Sequence, residues 1–185
     1  MAKVEDVARF FIDYGEKSEE PMTNMRINKM LYFAQGIHLA KGGNPLFEDD
    51  IEAWPWGPVV SDIYHQYKSF ESKPIIDPKS GFFRDNFTES EYATLLDTAR
   101  IYGVYTTPFL VTKSHRSGGP WDSTMKTTEK VIPKDLIRKE FSGNSLIFAI
   151  PADALQSIDT RGEDGTFLLP KEDDDGDEWS EYDAI

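Results

Sequence analysis

The sequence predicts a mostly α-helical protein: one compact domain of about six helices with minor β or extended segments, over residues 1–160, and an acidic, mobile tail over 161–185. Three observations predict this. Apolar residues recur at spacings of three and four in several separate segments. Helix-start residues precede those segments, most plainly in Thr88-Glu89-Ser90-Glu91. Finally, the last fifteen residues, Lys171 to Ile185, hold eight acids and one base, a composition that does not build a core.

The elements follow in order. Val4, Val7, Ala8 and Phe11 share one helical face, and this first helix ends near Tyr14-Gly15. Thr23 or Asn24 caps the next helix. Ile27, Met30, Leu31 and Ala34 form one stripe on it; Phe33, Ile37 and Ala40 form another. A helix apolar on two faces is expected at the centre of a domain, and Gly42-Gly43 stops it. Residues 51–56 read as extended, because Trp54 precedes Pro55. Gly57-Pro58 then opens a helix carrying Val59, Val60, Ile63, Tyr67 and Phe70.

Residues 73–86 read as a long loop or small hairpin. The capping box starts a helix with Tyr92, Leu95, Leu96, Ala99 and Tyr102. Thr107-Pro108 starts a short helix, and Ser117-Gly118-Gly119-Pro120 reads as a turn. Pro133 to Phe141 forms a further helix. A strand or buried turn over 145–150 and a last helix over 151–158 complete the reading.

Composition narrows the function. The chain has 185 residues, no cysteine and a net charge of −13. Disulfide stapling and thiolate zinc sites are excluded. The first residues are polar and acidic, unlike a signal peptide. No stretch approaches the ~18 apolar residues of a membrane span. A cytoplasmic protein with no membrane role is the expectation. The tail alone carries −7 and the other 170 residues −6. Direct nucleic-acid binding through a basic face is disfavoured, and a basic protein partner suits the surface better.

Chemical motifs are few. His38, His65 and His115 show no metal-ligand spacing. No GxSxG, GxxxxGK[ST] or GxGxxG pattern occurs, so neither a nucleophile elbow nor a phosphate loop is expected. Ser114-His115 is a sequence neighbour pair, which does not make a catalytic geometry. No cofactor and no metal are expected. Trp54, Trp56 and Trp121 are candidates for core packing or for a partner hot spot. The segment Trp54-Pro55-Trp56-Gly57-Pro58 cannot be regular helix, and its two indoles are expected to part: one inward, one to the surface. In the tail, Trp179, Tyr182 and Ile185 stand three apart among acids, a pattern compatible with a helix formed on binding but equally with a solubilising tail.

The run from Lys29 to Ala40, then Pro45-Leu46-Phe47, then Glu52-Ala53-Trp54 with Gly57-Pro58-Val59-Val60 and Tyr64, resembles the Panacea domain, the family of SocA-like antitoxins and phage-associated GepA-like proteins. His115 with Pro120-Trp121 resembles that family's downstream motif. The resemblance covers about residues 4 to 125. Each piece alone is weak; their order is specific. Ile37 and Pro55-Trp56 depart from the family's usual residues.

The resemblance implies a non-catalytic helical domain that neutralises a toxin encoded by the adjacent gene, and for some members delivery of that toxin to the ClpXP protease. The expected partner-binding residues are Trp56, His65, Tyr67, His115 and Trp121, with the acidic tail as an accessory and with Trp54, Gly57 and Pro58 shaping the site. Two other readings stay open: an acidic, phage-encoded inhibitor that mimics nucleic acid towards a host enzyme, and a hydrolase using Ser114 and His115. Oligomeric state is not legible from the sequence.

Overall fold

A computed structural model describes residues 1–18, 20–76 and 83–142. They belong to one compact unit and form seven α-helices and a two-stranded hairpin: α1 (Val4–Lys17), α2 (Asn24–Gly42), β1 (Glu52–Trp54), β2 (Gly57–Val59), α3 (Ser61–Tyr67), α4 (Glu89–Tyr102), α5 (Thr107–Ser114), α6 (Pro120–Met125) and α7 (Lys134–Ser142). The expected elements at 145–150 and 151–158, and the tail from 161, lie outside the described residues.

The architecture is a ring of elements around α2. Thr23 caps this helix by accepting from the Arg26 amide, and Gly43 ends it in the left-handed conformation. Asn24 and every residue from Arg26 to Leu39 are buried, which is what two apolar stripes demand. The other helices and the hairpin pack around it. Gly36 lets α7 come close: a Cβ there would fall 2.4 Å from the Phe141 ring. Phe141 meets Tyr32 edge-on, and Phe33 stacks on Tyr102 at 4.0 Å. On α4, Thr88 and Glu91 form the expected reciprocal capping box.

Burying a helix on all sides also buries its polar residues, each of which must find a partner. On α2 they bind the backbone of surrounding segments. Arg26 donates to the Gly103 and Tyr105 carbonyls at 2.8 and 2.7 Å. Gln35 donates to the Phe47 carbonyl at 2.9 Å and accepts from the Leu46 amide at 2.7 Å. Asn28 accepts from the Val60 amide at 2.9 Å, and Lys29 donates to the Pro58 carbonyl at 3.1 Å. The Thr94 hydroxyl gives its proton to the Ser90 carbonyl. His38 Nδ1, 3.0 Å from that hydroxyl, is therefore the donor of the pair. The central helix is thus apolar packing and polar clamp at once.

One expectation is corrected here and another is extended. Gly57-Pro58 does not open a helix: Gly57–Val59 is a strand paired antiparallel with Glu52–Trp54, Trp54 opposite Gly57. Pro58 lacks an N–H to donate, which an edge position tolerates, and α3 begins three residues later, at Ser61. The stretch ending at Pro120 is more than a turn, because Pro120 occupies the first turn of α6, where its fixed φ suits a helix.

Candidate functional site

The hairpin has a two-residue loop, Pro55-Trp56, so Trp56 stands at its tip. Trp54, one residue before the turn, is 2% exposed, whereas Trp56 is only partly covered. The two indoles part as expected. Both edges of the hairpin are occupied. Along β1, the Ala53 amide donates to the Lys130 carbonyl at 2.7 Å and the Ile132 amide to the Ile51 carbonyl at 2.8 Å. Along β2, Lys29 and Asn28 bind the chain at Pro58 and Val60. The hairpin therefore presents side chains rather than an open strand edge.

The end of α5 and the start of α6 complete the site. Trp121 donates its indole N–H to the Trp54 carbonyl at 2.8 Å. The His115 ring lies flat on Trp121, with centroids 3.8 Å apart and planes 7° from parallel. Trp54 donates to Glu52 at 2.8 Å and meets Tyr64 edge-on at 4.9 Å. His65 is exposed on α3, its ring 6.3 Å from that of Trp54 and 5.2 Å from that of Tyr64. The result is one aromatic face made by a hairpin, a helix end and two short helices.

At Gly57 the hairpin backbone comes close to two side chains. Its φ is +106°, and a Cβ would fall 2.7 Å from His115 Nε2 and 3.0 Å from Lys29 Nζ. A side chain there meets both conformational strain and collision. His115 Nε2 and Trp56 Nε1 are shielded from solvent without a hydrogen-bond partner. Burial pushes the Lys29 amine down to about 7. Burial, together with the nearby Lys29 charge, pushes the His115 imidazole down to about 4, against a weaker upward pull from the Trp56 backbone. At neutral pH the imidazole is neutral.

Of the expected binding residues, the structure gathers Trp56, His115 and Trp121 with the shaping residues Trp54, Gly57 and Pro58, and sets His65 at the rim. Tyr67 lies apart from them. It is 2% exposed and packs toward Phe70. It shares a helical face with Val60 and Ile63, also buried, so the periodicity that drew attention to α3 turns Tyr67 inward. Reading the sequence for chemistry missed Lys29. Its signal was present: a lysine in a helix apolar on two faces is either misplaced or paired.

Beside the face, a cleft of about 480 Å³ runs between Arg116, Gly118–Pro120 and Ser123 on one side and Leu136, Lys139 and Glu140 of α7 on the other. Arg116 and Glu140 pair across it in a two-pronged ion pair. Among the described residues, no group of three or more His, Asp or Glu converges as a metal cage. No described helix is long and apolar enough to cross a membrane.

Residues 27–122, just over half of the chain, match the family described as antitoxin SocA-like, Panacea domain. The chain belongs to this family. The matched stretch runs from the central helix to the residue after Trp121, and so contains every member of the aromatic face. The chain is also 34% identical over 128 residues to Antitoxin SocA of Caulobacter vibrioides (strain NA1000 / CB15N). That alignment covers 63% of this chain and 66% of the relative, a little under two thirds of its length. No solved structure matches the chain.

Proposed function

We propose that this chain is a cytoplasmic, non-enzymatic antitoxin that binds and neutralises a protein toxin encoded by the adjacent gene. The observation that carries the reading is membership of the SocA-like antitoxin family. The relative named Antitoxin SocA supports the same role. We assign binding to the face of Trp56, His115 and Trp121, with Trp54, Gly57 and Pro58 beneath it and His65 at the rim.

Physical chemistry supports that assignment. Tryptophans supply large contact area and dominate interface hot spots. Trp121 is already held by the Trp54 carbonyl and by His115, so little side-chain freedom is lost on binding. The net charge of −13 favours a basic partner and speeds its encounter.

Trp56→Ala tests the site. Trp56 sits at the hairpin tip, so its removal leaves the core in place. It is expected to weaken toxin capture by ~2 kcal/mol or more, the range of a hot-spot tryptophan, with helicity by circular dichroism unchanged. Loss of helicity instead would assign Trp56 to the core. Delivery of the toxin to ClpXP is the second form of the same role, for which the acidic tail supplies a second surface. Deleting residues 171–185 then abolishes degradation of the toxin and leaves its binding intact.

A further inference from the structure

We infer that Lys29 is a positioning residue of the aromatic face: reaching from α2 beneath Gly57, it ties down the hairpin and fixes His115 against Trp121. The inference rests on the reading of that face as the partner site, but its test needs no partner.

The geometry is a short chain of contacts. Lys29 is 1% exposed and donates to the Pro58 carbonyl at 3.1 Å, which anchors β2 to the central helix. The same side chain passes under Gly57, where the space for a Cβ is taken jointly by Lys29 and by His115 Nε2. His115 is therefore confined between the lysine and hairpin on one side and the Trp121 ring, 3.8 Å away, on the other. Trp121 in turn holds the Trp54 carbonyl at the turn end of the hairpin. Lys29, Pro58, Gly57, His115, Trp121 and Trp54 make a closed loop of contacts with one charged member.

A lysine is suited to this place for two reasons. Its four-carbon stem crosses apolar surroundings while its amine reaches a carbonyl on the far side. Its charge also adds to burial in opposing a positive charge on His115, and the imidazole stays neutral and stacked. Glu52, Asp122 and Arg116, near the face, have partners of their own. Glu52 binds the Trp54 indole. Asp122 binds the Gly118 amide and Lys126. Arg116 is paired with Glu140.

The experiment is a pH titration of the histidine ring signals by NMR, on the full chain and on Lys29→Met, which keeps the stem and removes the amine. In the folded variant, the His115 midpoint is expected to rise by on the order of one pH unit, and the ring-current shift that Trp121 imposes on His115 is expected to shrink. His38, whose titration does not depend on Lys29, serves as an internal reference and should not move. A folded variant in which His115 keeps both its midpoint and its ring-current shift overturns the inference.

Should Lys29→Met not fold, the unmodified protein carries the test. The His115 ring carbon shifts are then expected to show a second inflection at the pH where the Lys29 Cε signal titrates; a His115 curve blind to that step overturns the inference. These readouts concern the free protein, so they can fail while toxin binding at the face holds, and the reverse.

Discussion

Stability should rise with pH through the neutral range, because of one buried amine. In the unfolded chain Lys29 keeps its proton to about 10.5, whereas in the fold it gives it up near 7. Between those values the unfolded state binds one more proton than the folded state, so stability climbs with pH. One proton corresponds to ~1.4 kcal/mol per pH unit at full difference; allowing for half-titration at the start, the gain from about pH 7 to about pH 9 is ~2 kcal/mol.

Nothing else among the shifted groups crosses that window. His115 gives a rise at lower pH, between about 4 and 6.5, where stability is lost as pH falls. Burial raises the ionisation of Tyr32 and Tyr102 above the usual 10.0, so their contribution is lost only when pH climbs past the unfolded value. Stability should therefore peak on the alkaline side, between about pH 9 and 10, rather than in the more common ~5–8 interval. Urea unfolding followed by tryptophan fluorescence at constant ionic strength measures this, with Lys29→Met as the comparison. A flat profile between pH 7 and 9 in the unmodified protein, or an equal slope in the folded variant, would refute the reasoning.

The remaining predictions concern packing and polar clamps. Gln35→Ala strands the Leu46 amide and the Phe47 carbonyl in the interior and is expected to cost ~2–4 kcal/mol in urea unfolding; a loss within experimental error would mean that the loop at 46–47 finds other partners. Gly36→Ala drives a methyl into the Phe141 ring and should destabilise by ~1–3 kcal/mol, with the near-ultraviolet dichroism of the aromatic cluster altered. Trp121→Phe keeps a ring for His115 but deletes the bond to the Trp54 carbonyl, a loss of ~1–2 kcal/mol by thermal unfolding; an unchanged midpoint would show that the bond adds nothing in solution.

Much of the fold was legible because its signals are local. Two apolar stripes on one segment marked α2 as the centre, and Thr23, Gly43 and the Thr88–Glu91 box marked ends that the structure reproduces. The separation of Trp54 from Trp56 followed from the proline between them. What stayed hidden depends on distant partners. Pro58 permits either a first helical turn or an edge strand, and pairing with Glu52–Trp54 decides for the strand. The helix at Pro120 is only six residues long, too short to show a periodic face. Tyr67 carried a correct helical signal, and the face it shares with Val60 and Ile63 turns it inward. Lys29 could be placed in the helix but not matched to its acceptor, which lies 29 residues further on and bonds through backbone.

The most direct test of the proposed role is co-expression of this chain with the product of its adjacent gene, scoring growth and co-purification together. The account predicts that the neighbour alone arrests growth, that this chain restores it in the presence or absence of ClpXP, and that the two proteins purify as a complex which Trp56→Ala weakens. A harmless neighbour that fails to co-purify would contradict it.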